Sequence, residues 1–398
     1  MARNIRLYPW YQFFRSLLFW QAIWFLYFQQ QLSAAEAILL AAIIDVATTV
    51  LEVPSGYLSD RVGRRVTLLI GMAGAIAGAL LLWLGDGFAT FVAAQVLLGV
   101  SMAFNSGTDS ALLYESLARE GRADEVDDQE LRAWRFNFTG LALSAITGGV
   151  VASWSPATVF LLSAVASVAA FAIVFAFREP EHIETEVTFS SRRQVAEIRA
   201  ALMQPALAWL FVLAVAMYVF SHVPFVFGQP FILEAVGASG VSAEAAIVSG
   251  VISAAMMIIS VAATWLAPGL RERIGLHNLF LLALGIQVFL IAMLALSNHP
   301  LVIAFLVIRM VPNAFARAFI LARIQPLVSD ISRATYLSLQ SFSGRLFFAG
   351  SLMAASGGAS AGALSYAENR VILAGYLIAG LVVLAGLAVT ARRVRFAA

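Results

Sequence analysis

Residues 56–65 read GYLSDRVGRR: Gly56, Asp60, Arg61, Gly63, Arg64 and Arg65 crowd into one short stretch between two long apolar ones. Charge is costly in hydrocarbon, so the stretch belongs at a membrane face. There it joins two antiparallel helices through a turn that its glycines keep tight. Outward from it, 36–57 and 65–85 are apolar and long enough to cross a bilayer.

Composition agrees. The 398 residues are 61% hydrophobic and 12% charged, which excludes an ordinary soluble domain. The net charge is +2 and no basic run exceeds a short arginine pair, so nucleic acid is not an expected partner. All 25 basic residues are arginine. No cysteine is present, which removes disulfides, thiolate metal sites and cysteine nucleophiles. His182, His222, His277 and His299 lack metal-ligand spacing, so neither metal nor cofactor is expected.

Apolar stretches of spanning length number roughly twelve. They lie near 11–31, 36–57, 65–85, 88–118, 131–153, 156–178, 205–234, 242–266, 276–297, 300–328, 333–362 and 370–391. Arginine clusters in alternate connections: Arg3 and Arg6; the 61–65 turn; Arg119 and Arg122; 178–199; Arg271 and Arg273; Arg333; and Arg392, Arg393 and Arg395. Only Arg370 breaks the alternation. The positive-inside rule then places both termini in the cytoplasm and requires an even number of spans, as expected of a multi-pass protein of the plasma (inner) membrane.

The longest polar connection, 179–204, divides the chain into halves, 1–178 and 205–398. Within it, Ser190 to Leu202 has the pattern of a short interfacial helix, with a plain tether as the other reading. A shift of 212 residues lays Asp60, Arg61 and Gly63 on Glu272, Arg273 and Gly275, as two parallel repeats would.

The pattern Gly-x-Leu-Ser-Asp-Arg-x-Gly-Arg-Arg resembles the signature between helices 2 and 3 of the major facilitator superfamily, in particular its drug/proton antiporter branch. The resemblance implies an all-α integral membrane fold: twelve transmembrane helices in two pseudo-symmetric six-helix bundles around a central cavity. It also implies alternating access, with the GYLSDRVGRR segment as cytoplasmic gate. By position in the family, Glu115 partners Arg64, while Asp60 meets the helix N-terminus near Arg333 to Thr335.

Ionisable residues at membrane depth are functional candidates. Asp45, Thr48, Thr49, Glu52 and Gly56 share one face of the second span, and Arg345 ends a polar stripe in the eleventh. The resemblance sets these spans opposite one another, so an Asp45–Arg345 pair is expected. It is either a permanent packing pair or one that opens and lets the carboxylate take a proton. Asp109 either faces the cavity or pairs with Arg135. Arg309 falls at the place of Gln95 under a shift of 214, where it sets the pKa of a nearby acid, binds an anionic substrate group, or is satisfied by carbonyls and Asn313.

Trp20, Gln21, Trp24 and Phe28 of the first span, Asn105 of the fourth, Tyr218, Phe225 and Gln229 of the seventh and Asn313 of the tenth are the expected cavity wall, the aromatics suiting a flat organic molecule. Interfacial belts are the other reading of the aromatics. SAITGG, 144–149, keeps the glycines but not the proline of an antiporter turn.

The expected function is therefore secondary active transport without catalytic residues, by a monomer that exchanges protons for small amphiphilic compounds. Uptake or facilitated passage of a metabolite or organic anion, and flipping of a lipid-like substrate, are the alternatives. ATP drive is disfavoured because no phosphate-binding Gly-x-x-x-x-Gly-Lys loop occurs.

Overall fold

The computed structural model describes residues 1–180, 199–239, 245–324, 327, 330–358 and 364–394; the Ser190–Leu202 helix and the Asp60 contact near Arg333 to Thr335 fall largely outside what it describes. The described chain is an all-α integral membrane protein. Among the described residues, ten helical stretches are long and apolar enough to cross a bilayer.

In order, the helices are α1 (Ala2–Arg15), α2 (Trp24–Gln29), α3 (Ala34–Val62), α4 (Arg64–Leu84), α5 (Gly87–Asn105), α6 (Thr108–Arg119), α7 (Val126–Trp154) and α8 (Thr158–Ala176). The second half supplies α9 (Pro205–Ser239), α10 (Ala245–Ile274), α11 (Leu276–Leu296), α12 (Val302–Phe305), α13 (Val311–Ile324), α14 (Asp330–Ser356) and α15 (Tyr366–Ala391). The chain divides into two compact units: 1–184 with 242–254 and 360–363, and 185–241 with 255–359 and 364–398.

Several span boundaries differ from the sequence expectation. The first span, expected over 11–31, starts at Ala2 and breaks after Arg15 into a 3-10 turn, Phe19–Ala22, before α2. Irregular backbone at membrane depth needs internal partners. Here the Phe19 amide donates to Ser163 Oγ at 3.0 Å, and Gln21 Nε2 donates to the Leu141 carbonyl at 2.8 Å. The turn can lie against α7 only because position 148 is glycine: a Cβ there would sit 2.0 Å from the Phe19 carbonyl oxygen.

The fourth and tenth spans are also divided. The chain leaves α5 at Asn105 and re-enters α6 through Gly107 at φ +74°. The tenth passes from α12 through a 3-10 turn, Leu306–Ile308, to α13. Conversely, α9 is one helix with Pro224 and Pro230 inside it. In the absence of water a helix remains the best state for its other backbone groups.

The GYLSDRVGRR turn is tighter than expected. Gly56 lies inside α3 with open space around it, and Gly63 alone, at φ +111°, separates α3 from α4. The same device recurs 212 residues on, where Gly275 at φ +78° separates α10 from α11.

Candidate functional site

At the Gly63 junction the backbone turns sharply enough to leave the first amides of α4 open. They are taken by a side chain that the sequence reading left in the interdomain connection. Glu179 accepts from the Arg64 amide at 2.5 Å and the Arg65 amide at 2.9 Å. A carboxylate on a helix N-terminus is the favoured arrangement of charge and open N–H groups. Gly63 makes room for it, since a Cβ there would meet the Glu179 Cδ at 2.6 Å.

Arg64 Nε and Nη2 donate to Glu115 Oε1 at 3.1 and 3.0 Å, and Nη1 donates to Ser59 Oγ at 2.8 Å and Asp60 Oδ1 at 2.5 Å. The Arg64 and Glu115 side chains keep only 15% and 13% of their surface, whereas Asp60 keeps 68%. Arg61 is exposed and lies over the Tyr57 ring, and Arg65 lies over Phe175 while donating to its carbonyl.

A further residue closes this arrangement into a ring. Buried Asn4 donates to Ser116 Oγ at 2.9 Å and to the Arg178 carbonyl at 2.8 Å, and accepts from the Arg178 amide at 2.9 Å. Hydrogen bonds thus run from α1 through the 178–179 backbone to the α3–α4 junction, on through Arg64 to α6, and back to Asn4.

Deeper in the same unit, the α5–α6 break carries a second polar group. Tyr11 donates to Asn105 Oδ1 at 2.5 Å, and Asn105 Nδ2 returns to the Ser101 carbonyl. Gly71 leaves space for that amide, as a Cβ would come within 2.7 Å of its nitrogen. Asp109, in the first turn of α6, accepts from Arg15 Nη1 at 2.8 Å, Gln12 Nε2 at 2.9 Å and the Ser110 amide at 2.9 Å. The Arg135 partnership is therefore corrected: Arg135 is exposed on α7, and Arg15 holds the carboxylate. A charge inside a span calls for a counter-charge in another, and that was the available signal.

The expected cavity wall needs revision in this unit. Gln21 is committed to closing the break in the first span and Asn105 to the break in the fourth. Trp24 and Phe28 are buried in an aromatic core, with Phe28 on Phe91 at 5.4 Å between centroids and neighbouring Tyr27 on Phe160 at 4.6 Å. Trp20 is half-buried. Asp45 is buried in α3, and Glu52 is half-buried two turns further along it.

In the second unit, Arg345 of α14 lies over the Tyr218 ring at 5.9 Å, and Arg309 lies over Phe225 at 5.0 Å. His222 stacks on Tyr218 at 4.2 Å with Nδ1 2.7 Å from the Tyr218 carbonyl. Gln229 is buried on α9 and Asn313 half-buried on α13. Sequence reading had passed over His222 for want of a metal partner. Among the described residues no three His, Asp or Glu side chains group as a metal site requires.

Broken spanning helices, the Arg15–Asp109 ion pair within them and a charged helix junction are features that secondary transporters share. The family model of the Major Facilitator Superfamily matches residues 11–348, and the chain belongs to that family. A crystal structure of the peptide transporter POT in complex with sulfate superposes with a TM-score of 0.78 at 14% identity, covering 98% of this chain and 94% of that one. The nucleoside transporter NupG gives 0.77 at 11% identity, over 97% and 99%. The POT family transporter PepTSo gives 0.75 at 11%, over 99% of each. At such identities the likeness speaks for the fold alone. A comparison with curated proteins gave no match.

Proposed function

We propose that this transporter couples the movement of a small amphiphilic organic compound to that of protons, by alternating access. The observation that carries the coupling is the Arg15–Asp109 pair: a carboxylate held at 2.8 Å by a guanidinium, at a helix break inside the bilayer. Should α1 and α6 part during the cycle, a carboxylate losing its cation in hydrocarbon takes a proton rather than remain charged. Asp45 and Arg345 are the second candidate pair, one residue from each unit. Export is the direction we assign, on the resemblance of the GYLSDRVGRR signature to the drug/proton antiporter branch. The arginine distribution supports cytoplasmic termini and with them the Gly63 ring as a cytoplasmic gate; a plasma-membrane monomer as the working unit rests on the family resemblance.

The test is proton movement in proteoliposomes of purified protein, followed with a lumenal pH dye as compounds are added, with Asp109→Asn and Asp45→Asn beside wild type. Coupled flux in wild type that disappears in Asp109→Asn supports the reading, and its sign gives the direction. Unaltered flux and pH dependence in both variants sinks it.

A further inference from the structure

We propose that α9 and its neighbours in the second unit form a binding site for an organic anion with a flat aromatic body. The inference rests on the transport reading for the identity of its occupant as cargo, and on the following geometry for the site itself.

Tyr218, His222, Phe225 and Gln229 recur at i, i+4, i+7 and i+11, so they form one stripe along α9. A guanidinium lies over the ring near each end of its aromatic part: Arg345 over Tyr218 and Arg309 over Phe225. Seven residues of helix separate those rings, about 10 Å. One carboxylate cannot bridge that distance, but an anionic group on Arg309 with a bicyclic ring system laid along His222 toward Tyr218 spans it.

Arg309 is the anchor. Its Nε donates to the thioether of Met256 at 3.2 Å, a weak acceptor, and among the described residues it makes no ion pair and no other hydrogen bond. Its Cζ lies over the Phe225 ring at 5.0 Å, and a guanidinium carries a fork of N–H donors able to take an oxyanion in bidentate fashion.

The charge distribution points the same way. Among the described residues the acids of this unit lie toward helix ends: Glu234 late in α9, Glu272 at the end of α10, Asp330 at the start of α14 and Glu368 in the first turn of α15. Among the described residues, His222, Arg309, Arg317 and Arg345 lie well inside its spans. A cation at membrane depth costs on the order of 3 kcal/mol, so a site built this way selects a negative guest.

Two probes of equal shape and opposite charge test this: 2-naphthalenesulfonate and 2-naphthyltrimethylammonium, titrated against the purified full chain in detergent by tryptophan fluorescence. The expected result is anion binding at least about tenfold tighter than cation binding, roughly 1.4 kcal/mol. Arg309→Gln should abolish the preference, and Arg309→Lys should keep part of it, because an ammonium supplies charge without the bidentate fork. Equal affinities, or a preference for the cation, in wild type overturn the site whether or not the variants fold. An anion preference unchanged in a folded Arg309→Gln overturns it too. The same anion in the proteoliposome assay separates the two proposals: binding without proton flux leaves the site standing and removes the coupling. Flux driven by other compounds, with neither probe bound, does the reverse.

Discussion

Gly63→Ala tests the central contact of the junction, and its cost can be worked from two independent contributions. Gly63 stands at φ +111°, ψ 158°, a region essentially closed to residues with a Cβ, and holding alanine there costs about 1–3 kcal/mol. The new methyl would also lie 2.6 Å from Glu179 Cδ and 2.8–2.9 Å from its oxygens, so the carboxylate must withdraw and release the Arg64 and Arg65 amides. Loss of a helix N-cap costs about 0.5–2 kcal/mol, and solvent screening of the exposed Glu179 keeps this near 1. The single variant should therefore lose about 2–4 kcal/mol in total, as the sum of those strain and capping costs.

Glu179→Ala alone should lose only the capping contribution, about 1 kcal/mol. In a Glu179→Ala background, Gly63→Ala has no carboxylate to displace, so the cycle should close with a coupling of about 1 kcal/mol. The assay is SDS-driven unfolding of the purified protein, read by the fluorescence of its eight tryptophans. Additivity within about 0.3 kcal/mol would refute the contact, since distant sites behave that way. A neutral Gly63→Ala would refute the backbone argument as well.

Three further outcomes follow from the same geometry. Glu115→Ala should destabilise by about 1–3 kcal/mol because it strands a largely buried Arg64, whereas Asp60→Ala, at an exposed carboxylate, should cost under about 1 kcal/mol; the same unfolding assay ranks them. Gly148→Ala forces a methyl onto the Phe19 carbonyl, backbone that cannot swing aside, and should cost about 1–3 kcal/mol while leaving the Gly56→Ala control, in open space within a helix, unchanged or slightly stabilised. For the Asp45–Arg345 proposal, a charge swap, Asp45→Arg with Arg345→Asp, should recover transport that each single variant loses; no recovery in correctly inserted protein removes the pair.

Legibility in the sequence tracked how local the controlling physics is. Span count and helix identity were readable because length and apolarity decide them residue by residue. Gly63 as a turn was readable because glycine beside a charge cluster between apolar runs has one economical explanation, and Arg64 with Glu115 came from the resemblance. The breaks were not readable. The first span looks continuous until Ser163, Gln21 and Gly148 are seen to accommodate Phe19–Ala22, and those partners lie up to 144 residues away. The prolines of α9 point the opposite way: proline ends most helices, yet Pro224 and Pro230 lie inside one, as spanning helices tolerate where neighbouring groups re-satisfy the freed backbone. Glu179 was masked by its place in a polar connection, although an acid just beyond a span that ends beside the arginine-rich turn was a usable signal.

The two glycine junctions show how far the internal repeat extends. Gly63 and Gly275 share backbone geometry at an offset of 212, yet the residues after them differ: Arg64 and Arg65 in the first, Leu276 and His277 in the second. The first is clasped by carboxylates. At the second, His277 Nε2 lies 2.9 Å from the Val394 carbonyl and the ring contacts Trp209 at 6.0 Å. Repetition has thus kept the turn and replaced its fastening. Ionic strength should separate the two: at 1 M salt the Debye length falls to about 3 Å, which weakens the exposed Glu179 cap and acts less on the histidine–carbonyl and ring contacts of the second junction. Amide hydrogen exchange at 64–65 should accelerate between 0.1 M and 1 M salt while exchange at 276–277 stays constant, and equal acceleration at both would show that charge does not hold the first junction.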